Sequence, residues 1–344
     1  RGGRMNYSNY DDVLGQLRDH GLLVDTLYID TSKVQRCPTT ENQREKRGWY
    51  WLSSITIDTE PYIVGAFGIY NGNDNGKQKV TLSRQKAERL TPEQREAIKA
   101  QQRESQKKAE AERKRQADRA AARAKAAWSR CNTTGTSEYL TRKQIGAHGV
   151  RFSTGGSLVV TMLDDHDTIR GLQFILPRGH ERIAKTGRDK EFWPYGISSS
   201  GTFFLIGDAP RDILLVAEGY ATGATLFEDT GYPVAVVWSA NNILPACQAL
   251  RKKYKRVRML ICADDDWVQK CHSCGEYTTL STPDCVHCHQ PHRQKNAGTT
   301  CAEAAAVSVN GAWCAPVFVQ QRPTDKKGPT DFNDLYCLEG IVLV

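Results

Sequence analysis

Three consecutive aspartates, Asp264, Asp265 and Asp266, close the apolar run "VRMLICA", and Glu218 closes another, "ILLVA". Carboxylates placed directly after buried strands stand where open α/β sheets build their sites, at the carboxyl ends of the strands. If the chain is still extended there, Asp264 and Asp266 share a face and Asp265 points away. Two carboxylates on one face, joined by Glu218 from a neighbouring strand, form an anionic pocket that repels itself and gathers protons. Oxygen-seeking divalent cations, Mg2+ above all, resolve that conflict. An isolated Asp-Asp-Asp is usually a polar turn. The second strand-end carboxylate and the later "TDFNDL" argue against that reading here.

A second site follows almost at once in "CHSCGEYTTLSTPDCVHC", where Cys271, Cys274, Cys285 and Cys288 form two CxxC pairs separated by ten residues. Each CxxC turn aims two thiolates at one point, and two turns supply the tetrahedral sulfur set that zinc prefers. Gly275 suits a tight knuckle after the first pair. A redox CxxC would need no second pair, so the spacing favours a structural zinc ribbon. Four thiolates leave no open coordination position, and this zinc is expected to scaffold rather than catalyse. His272, His287, His289 and His292 could replace a ligand, but four cysteines need no help.

The elements that must position these residues are legible as patterns. Residues 212–340 alternate apolar strands ("ILLVA", "PVAVVW", "VRMLICA", "APVFV") with helical stretches ("GYATGATLFEDTG", "NNILPACQALRKKY", "TTCAEAAAVSV"). Continuous apolar strands joined by helices mean a buried parallel sheet. Upstream, "LVVTMLDD", "IRGLQFIL" and "GTFFLIG" read as strands among scattered basic residues, Arg142, Lys143, Arg151, Arg178, Arg182, Lys185, Arg188 and Lys190. Residues 22–82 read as a small β-rich region, with strands in "LLVDTLYIDT", "GWYWLSSITID" and "YIVGAFGIY" and a turn in "YNGNDNGK". A short helix in "NYDDVLGQLRDHG" precedes it. "GNDNGKQ" is one residue short of a P-loop and lacks the following Ser or Thr.

Between Arg84 and Arg130 stand fifteen Lys/Arg against seven Asp/Glu, a surplus that equals the net charge of +8 of all 344 residues. Thr91, Pro92 and Gln94 open a helix there as N-cap, N1 and N3. Ala, Glu, Gln, Lys and Arg continue it to about Ala127, with Ile98 as the lone large apolar side chain of its interior. Such a helix offers no stripe to bury. It reads as a solvated spacer or as a basic helix tracking nucleic acid.

No apolar stretch approaches the roughly 20 residues of a membrane span, and no signal-peptide pattern opens the chain. Met5 offers itself as a start. Seven cysteines outside the CxxC pairs (Cys37, Cys131, Cys247, Cys262, Cys301, Cys314 and Cys337) are scattered singly. That argues against a disulfide framework and fits a reduced, cytoplasmic setting.

The series "VAEGYATGATL…GYPVAVVWSANNILP…ICADDD…NAG…TDFNDL" resembles the Toprim domain of DNA primases, in the version carried by plasmid conjugative primases and phage relatives. The resemblance implies an α/β Toprim domain at 211–344 with the zinc ribbon inserted at 267–295, where relatives keep a short connection. It implies a basic α+β subdomain at 129–210, carried by "YLTRKQIGAHGVRF", "GLQFIL" and "GRDKEFWPYG". A charged helical linker at 84–128 and a small β-rich domain at 1–83 complete the series. By this likeness Glu218 is the general acid/base, and Glu218, Asp264, Asp266 and Asp331 hold Mg2+ or Mn2+ for nucleotidyl transfer. Asn333 and Asp334 complete the late acidic motif. Arg142, Lys143, Arg151, Lys185, Lys190 and Asn242 would touch template or nucleotide. Ser239 and Asn241 depart from the Asp and Gly that relatives carry.

The expected activity is synthesis of short primers, RNA by preference, on single-stranded DNA for phage- or plasmid-type replication. NTPs are the substrates and a replicative helicase is a candidate partner. The zinc ribbon would hold DNA over the acids or serve as a structural plug. A Toprim nuclease would use the same acids with water as nucleophile, and a non-enzymatic zinc-ribbon DNA-binding module is the alternative from another class. A topoisomerase needs a nucleophilic tyrosine on a separate domain, for which the chain has little room.

Overall fold

The structure is a computed structural model that describes residues 7–82, apart from 32, 42, 44, 58 and 71–75, together with residues 92–340 and 342. Met5, the Thr91 cap and the centre of the "YNGNDNGK" turn lie outside the described residues. The chain divides into two compact units, Arg1–Arg115 and Gln116–Val344.

In the first unit, helix α1 (Tyr10–Asp19) buries Val13 and Leu17 on an antiparallel sheet. The sheet runs β1 (Gln35–Cys37), β2 (Gly48–Ile57), β3 (Glu60–Ile69) and β4 (Gln78–Lys79), in that order. Asn9 fastens the helix to the sheet by exchanging two hydrogen bonds with the Ile63 backbone, at 2.7 and 2.8 Å. "LLVDTLYIDT", expected to be a strand, makes only the isolated bridges Leu22 with Thr39 and Ile29 with Leu52. Its apolar side chains Leu22, Val24 and Leu27 are buried as a loop packed on the core.

Helix α2 (Pro92–Trp128) spans 37 residues. The expectation that it buries no stripe fails over its last turns. Ala117, Ala120, Ala121 and Ala124 are buried at i, i+3, i+4 and i+7 spacing, and Ala124 packs on Val159 and Leu172. Methyl groups let a helix backbone approach a sheet closely, and each contributes about 0.8 kcal/mol when buried. A search for large apolar residues overlooks such a stripe.

The sheet it covers is antiparallel: β5 (Arg151–Phe152), β6 (Leu158–Leu163), β7 (Ile169–Ile175) and β8 (Lys190–Trp193), with β8 outermost. Two short helices accompany it: α3 (Glu138–Lys143) precedes β5, and α4 (Glu181–Thr186) connects β7 to β8.

The remaining strands form a five-stranded sheet in the order β15 (Ala312–Cys314), β12 (Arg258–Cys262), β10 (Ile213–Ala217), β11 (Val234–Val236) and β9 (Phe204–Ile206). All pairs are parallel except β9 with β11. "GTFFLIG", expected to go with the preceding basic segment, is therefore the antiparallel edge of this sheet. The last strand falls on "AWC", and "APVFV" stays outside the ladder. Helices α5 (Tyr220–Thr230), α6 (Ala240–Lys253), α7 (Ala297–Val309) and α8 (Phe332–Glu339) complete the layer structure, with apolar clusters centred on Tyr220 and Phe332 and on Ile243 and Ile261. The architecture is mixed α/β. Between β12 and α7 a hairpin of β13 (Val268–Lys270) and β14 (Tyr277–Thr279) carries the cysteine pairs.

Candidate functional site

Register brings the acids together. Ala217 pairs with both Val236 and Cys262, so β10, β11 and β12 end level with one another. Glu218, Trp238 and Asp264 therefore leave the sheet at one edge, and the Trp238 N–H donates to the Glu218 carbonyl at 2.8 Å. Burial, followed by the charge of Asp266, pushes the Glu218 carboxyl up to about 7. Burial also raises Asp264 well above the usual carboxylate range, helped by Glu218, Asp331 and Asp266. Asp266 and Asp331 are raised too, each chiefly by burial. The Asp264 Oδ1 is buried with no hydrogen-bond partner. An orphaned carboxylate oxygen among three other carboxylates is an atom that a cation would satisfy.

The carboxylates do not form a closed cage. Among the described residues, no three of them bring oxygens within 4.8 Å of one another. Magnesium fits such an open set, because it keeps several waters and takes one or two protein carboxylates plus substrate phosphates.

Asp265 does a different job. Its carboxylate accepts from the Arg322 guanidinium at 2.6 Å and from the Asn296 amide at 2.7 Å, and its N–H donates to the Thr330 carbonyl at 2.8 Å. Arg322 lies 4.5 Å from the Trp267 ring centroid and 4.6 Å from that of Phe318. The Asn296 oxygen in turn accepts from the Asp266 N–H at 3.2 Å while capping α7. Gly298 is required by close approach, since a Cβ there would lie 2.1 Å from the Asp264 carbonyl oxygen. The acidic strand end is thus pinned by two segments remote in sequence.

The late acidic motif contributes in three ways. Asp331 caps α8, accepting from the Asp334 N–H at 2.8 Å, and its charge reaches Glu218 and Asp264. Asn333 is fully buried and joins the Lys143 carbonyl to the Thr225 hydroxyl. Asp334 pairs with Lys143 at 3.0 Å.

The expected nucleic-acid contacts separate into groups. Lys190 is exposed at the start of β8, 5.7 Å from the Tyr139 ring centroid, and its charge offsets Glu218, Asp264 and Asp331. Arg142 lies over the same ring at 5.7 Å, and Lys143 is held beside the acids by Asp334. Lys185 pairs with Glu181 on its own helix at 3.6 Å. Arg151 and Asn242 are given bracing roles instead. Arg151 donates to the Trp128 carbonyl at 2.8 Å and covers its ring. Asn242 is buried, bonded to the backbone of Gly201, Thr202 and Val237. A polar side chain in a loop after a strand reads the same in sequence whether it faces a ligand or ties the loop down. Lys327 was missed: its charge opposes those of Glu218 and Asp266, yet "TDKKG" reads only as a solvated loop.

The four cysteines converge as their spacing predicts. Cys271 and Cys288 sulfurs are 3.7 Å apart and those of Cys274 and Cys285 3.8 Å. A tetrahedron with zinc–sulfur bonds near 2.3 Å has edges of about 3.8 Å, so the set fits zinc. One thiol of each pair is prepared as a thiolate. Backbone N–H groups of Cys288 and then His287 draw Cys285 down to about 6, and those of Cys274 and Ser273 lower Cys271. Cys274, pushed up to about 12, and Cys288 are raised, because the N–H of Glu276 and of Gln290 is outweighed by desolvation and neighbouring thiols. Gln269 bonds to the Asp266 and Lys295 carbonyls at 3.1 Å each, closing the neck of the insertion.

A concavity of about 480 Å³ near Arg211, Phe227 and Tyr232 opens at the amino ends of β10 and β11, away from the acids. Among the described residues, no helix is long and apolar enough to cross a membrane.

No family model matches the chain. Over 164 residues it is 26% identical to the DNA primase TraC of Escherichia coli, a stretch covering 46% of this chain and 9% of that protein. A second E. coli DNA primase TraC is 26% identical over 151 residues, 43% of this chain and 11% of that protein. The chain spans about a tenth of the length of the curated relatives it matches. Among solved structures it is similar to the primase fragment of the bacteriophage T7 primase-helicase protein, at 16% identity and a TM-score of 0.33, covering 58% of this chain and 64% of that one. It is also similar to the DnaG catalytic core, at 12% identity and a TM-score of 0.30, covering 44% and 62%.

Proposed function

We propose that this chain is a DNA primase, joining NTPs into short primers on single-stranded DNA by metal-dependent nucleotidyl transfer. One observation carries the reading: the Asp264 Oδ1 is buried without a partner at the carboxyl edge of a parallel sheet, and Glu218, Asp331 and Asp266, from other parts of the sequence or the same strand end, are near enough for their charges to raise the Asp264 carboxyl. The sequence likeness to DNA primases supports it. On this reading the five-stranded sheet from β9 onward is a Toprim domain with a zinc ribbon at 267–295, after a basic subdomain built on β5–β8 and the last turns of α2, the earlier part of α2 as a linker and a β-rich domain before it. A replicative helicase is the natural partner, and the cytoplasm the natural setting.

Glu218, Asp264, Asp266 and Asp331 would hold Mg2+ or Mn2+. Bound there, the ion would lower the pKa of the 3′-hydroxyl that attacks the α-phosphate and offset charge on that phosphate as the α–β bond breaks and pyrophosphate leaves. Glu218, poised near neutrality, takes the hydroxyl proton at its carboxylate. Lys327 opposes the negative charge of the incoming nucleotide's phosphates. Arg142 and Lys143 extend that basic wall. The Trp238 N–H keeps the Glu218 backbone in place, and the Arg322–Asp265 pair keeps its two neighbouring aspartates aimed inward. Zinc on Cys271, Cys274, Cys285 and Cys288 holds the insertion folded.

The test is template-dependent synthesis on single-stranded DNA with labelled NTPs, run with and without chelator. Products should need template and divalent cation and vanish in Glu218→Gln. Shortened template without new chains would assign the same acids to a nuclease.

A further inference from the structure

We propose that the open face of β8 and the turn after it form a stacking platform for single-stranded DNA, with Phe192 and Tyr195 taking bases and Lys190 a backbone phosphate. It rests on the primase reading and names the side chains that hold the template.

β8 is the last strand of its sheet, so among the described residues its outer edge has no ladder partner. Two large aromatic side chains on this stretch are left open, Phe192 at 45% exposure and Tyr195 at 97%. Along a strand Lys190 and Phe192 share one face and Trp193 takes the other. The contacts agree. Trp193 packs edge-on against Phe174 and beneath Arg123, whereas Phe192 meets Trp238 edge-on with ring centroids 6.5 Å apart. Trp238 is the residue whose N–H donates to the Glu218 carbonyl. Phe192 therefore stands one side chain away from the strand end that carries Glu218.

The chemistry selects the occupant. Open rings beside a lysine match a single strand, whose bases offer π faces and whose phosphates offer charge at regular intervals. A duplex keeps its base faces stacked inside and has nothing to lay on Phe192. A protein partner would call for a broad apolar patch, yet the chain on either side of the two rings is polar, with Arg188, Asp189, Lys190 and Glu191 before them and Ser198–Ser200 after. Stacking is tolerant of base identity, which suits an enzyme that must copy any template.

Fluorescence anisotropy of a labelled oligothymidine with the full chain, over a range of salt, tests the platform. Phe192→Ala and Tyr195→Ala should each weaken binding about tenfold without changing the salt dependence. Phe192→Tyr should bind like the parent. Lys190→Gln should lower the slope of log affinity against log salt by about one. Tyr195 is almost fully exposed, so Tyr195→Ala should keep the parent's unfolding midpoint, whereas Phe192→Ala gives up the edge contact with Trp238 and should lower it slightly. Alanine variants that bind as tightly as the parent overturn the platform alone, whereas a parent that binds no oligothymidine overturns the primase reading with it. A raised KM for NTPs with unchanged oligothymidine affinity would give the rings to the incoming nucleotide and overturn the template assignment.

Discussion

The cysteine cluster draws its four ligands from eighteen consecutive residues, whereas Glu218, Asp264, Asp266 and Asp331 are spread over more than a hundred. The two sets also differ in what holds them. Thiolates are gathered by two knuckles whose own backbone N–H groups favour the charged form. Carboxylates are gathered by strand register and then clamped from outside by Asn296, Arg322 and Thr330. The four sulfurs stand at the separations of a zinc-bound set, and the carboxylates stay open, half-buried and raised in pKa. A structural ion wants a complete local cage. A catalytic ion wants ligands left over for substrate, and only tertiary packing can hold such an unfinished set against its own repulsion.

The comparison can be broken first at the zinc. Chelation or Cys285→Ser removes binding free energy on the order of 10 kcal/mol. The amides of 268–292 should then lose hydrogen-exchange protection while β10 and β12 keep theirs. Collapse of both would show that the sites are not built independently. Next in size, Glu218→Gln or Asp264→Asn should cut primer synthesis by roughly 10² to 10⁴, with zinc content by mass spectrometry unchanged.

Arg322→Met leaves Asp265 without its guanidinium and should cost about 3 kcal/mol of stability in the second unit. Denaturant titration measures that, and Mn2+ binding by electron paramagnetic resonance should weaken while zinc stays. Proton linkage gives a smaller effect. Glu218 is raised from 4.5 to about 7, so the folded state binds more protons than the unfolded one across that window. Its stabilising contribution without metal is fully present below 4.5 and is lost as the pH rises through about 7. Mn2+ affinity runs the opposite way, gaining up to about tenfold per pH unit below 7 as the proton is displaced. A flat profile would place Glu218 outside the cation site. Smallest of all, Asp264→Asn should raise the metal-free melting temperature by about 2–4 °C by removing a buried like charge.

Much of this site could be read before any coordinates. The strand-end acids follow from apolar runs that stop at carboxylates, and Asp265 was expected to face away from its neighbours, as its bonds to Arg322 and Asn296 now explain. Other parts were not legible. The alanine stripe of α2 lacks the bulk that marks a buried face. β9 looked like part of the basic segment because three apolar residues do not say which sheet they join. Arg151 and Asn242, expected at the nucleic acid, bond to backbone instead, and Lys327, for which no role was expected, reaches the acids, because a side chain's polarity does not tell what lies opposite it.

Sequence alone determined what local geometry can determine: the CxxC knuckles, the helix and strand periods, and the placing of an acid after two of the buried strands, β10 and β12. Those patterns depend on backbone rise and turn over a few residues, which residue type and spacing control directly. Only the tertiary structure decided that Asp331 and Lys190 face Glu218, that Arg322 clamps Asp265, and that Phe192 and Tyr195 stay open. Such meetings join segments tens of residues or more apart, and they are set by sheet register and packing, which no short stretch of chain contains.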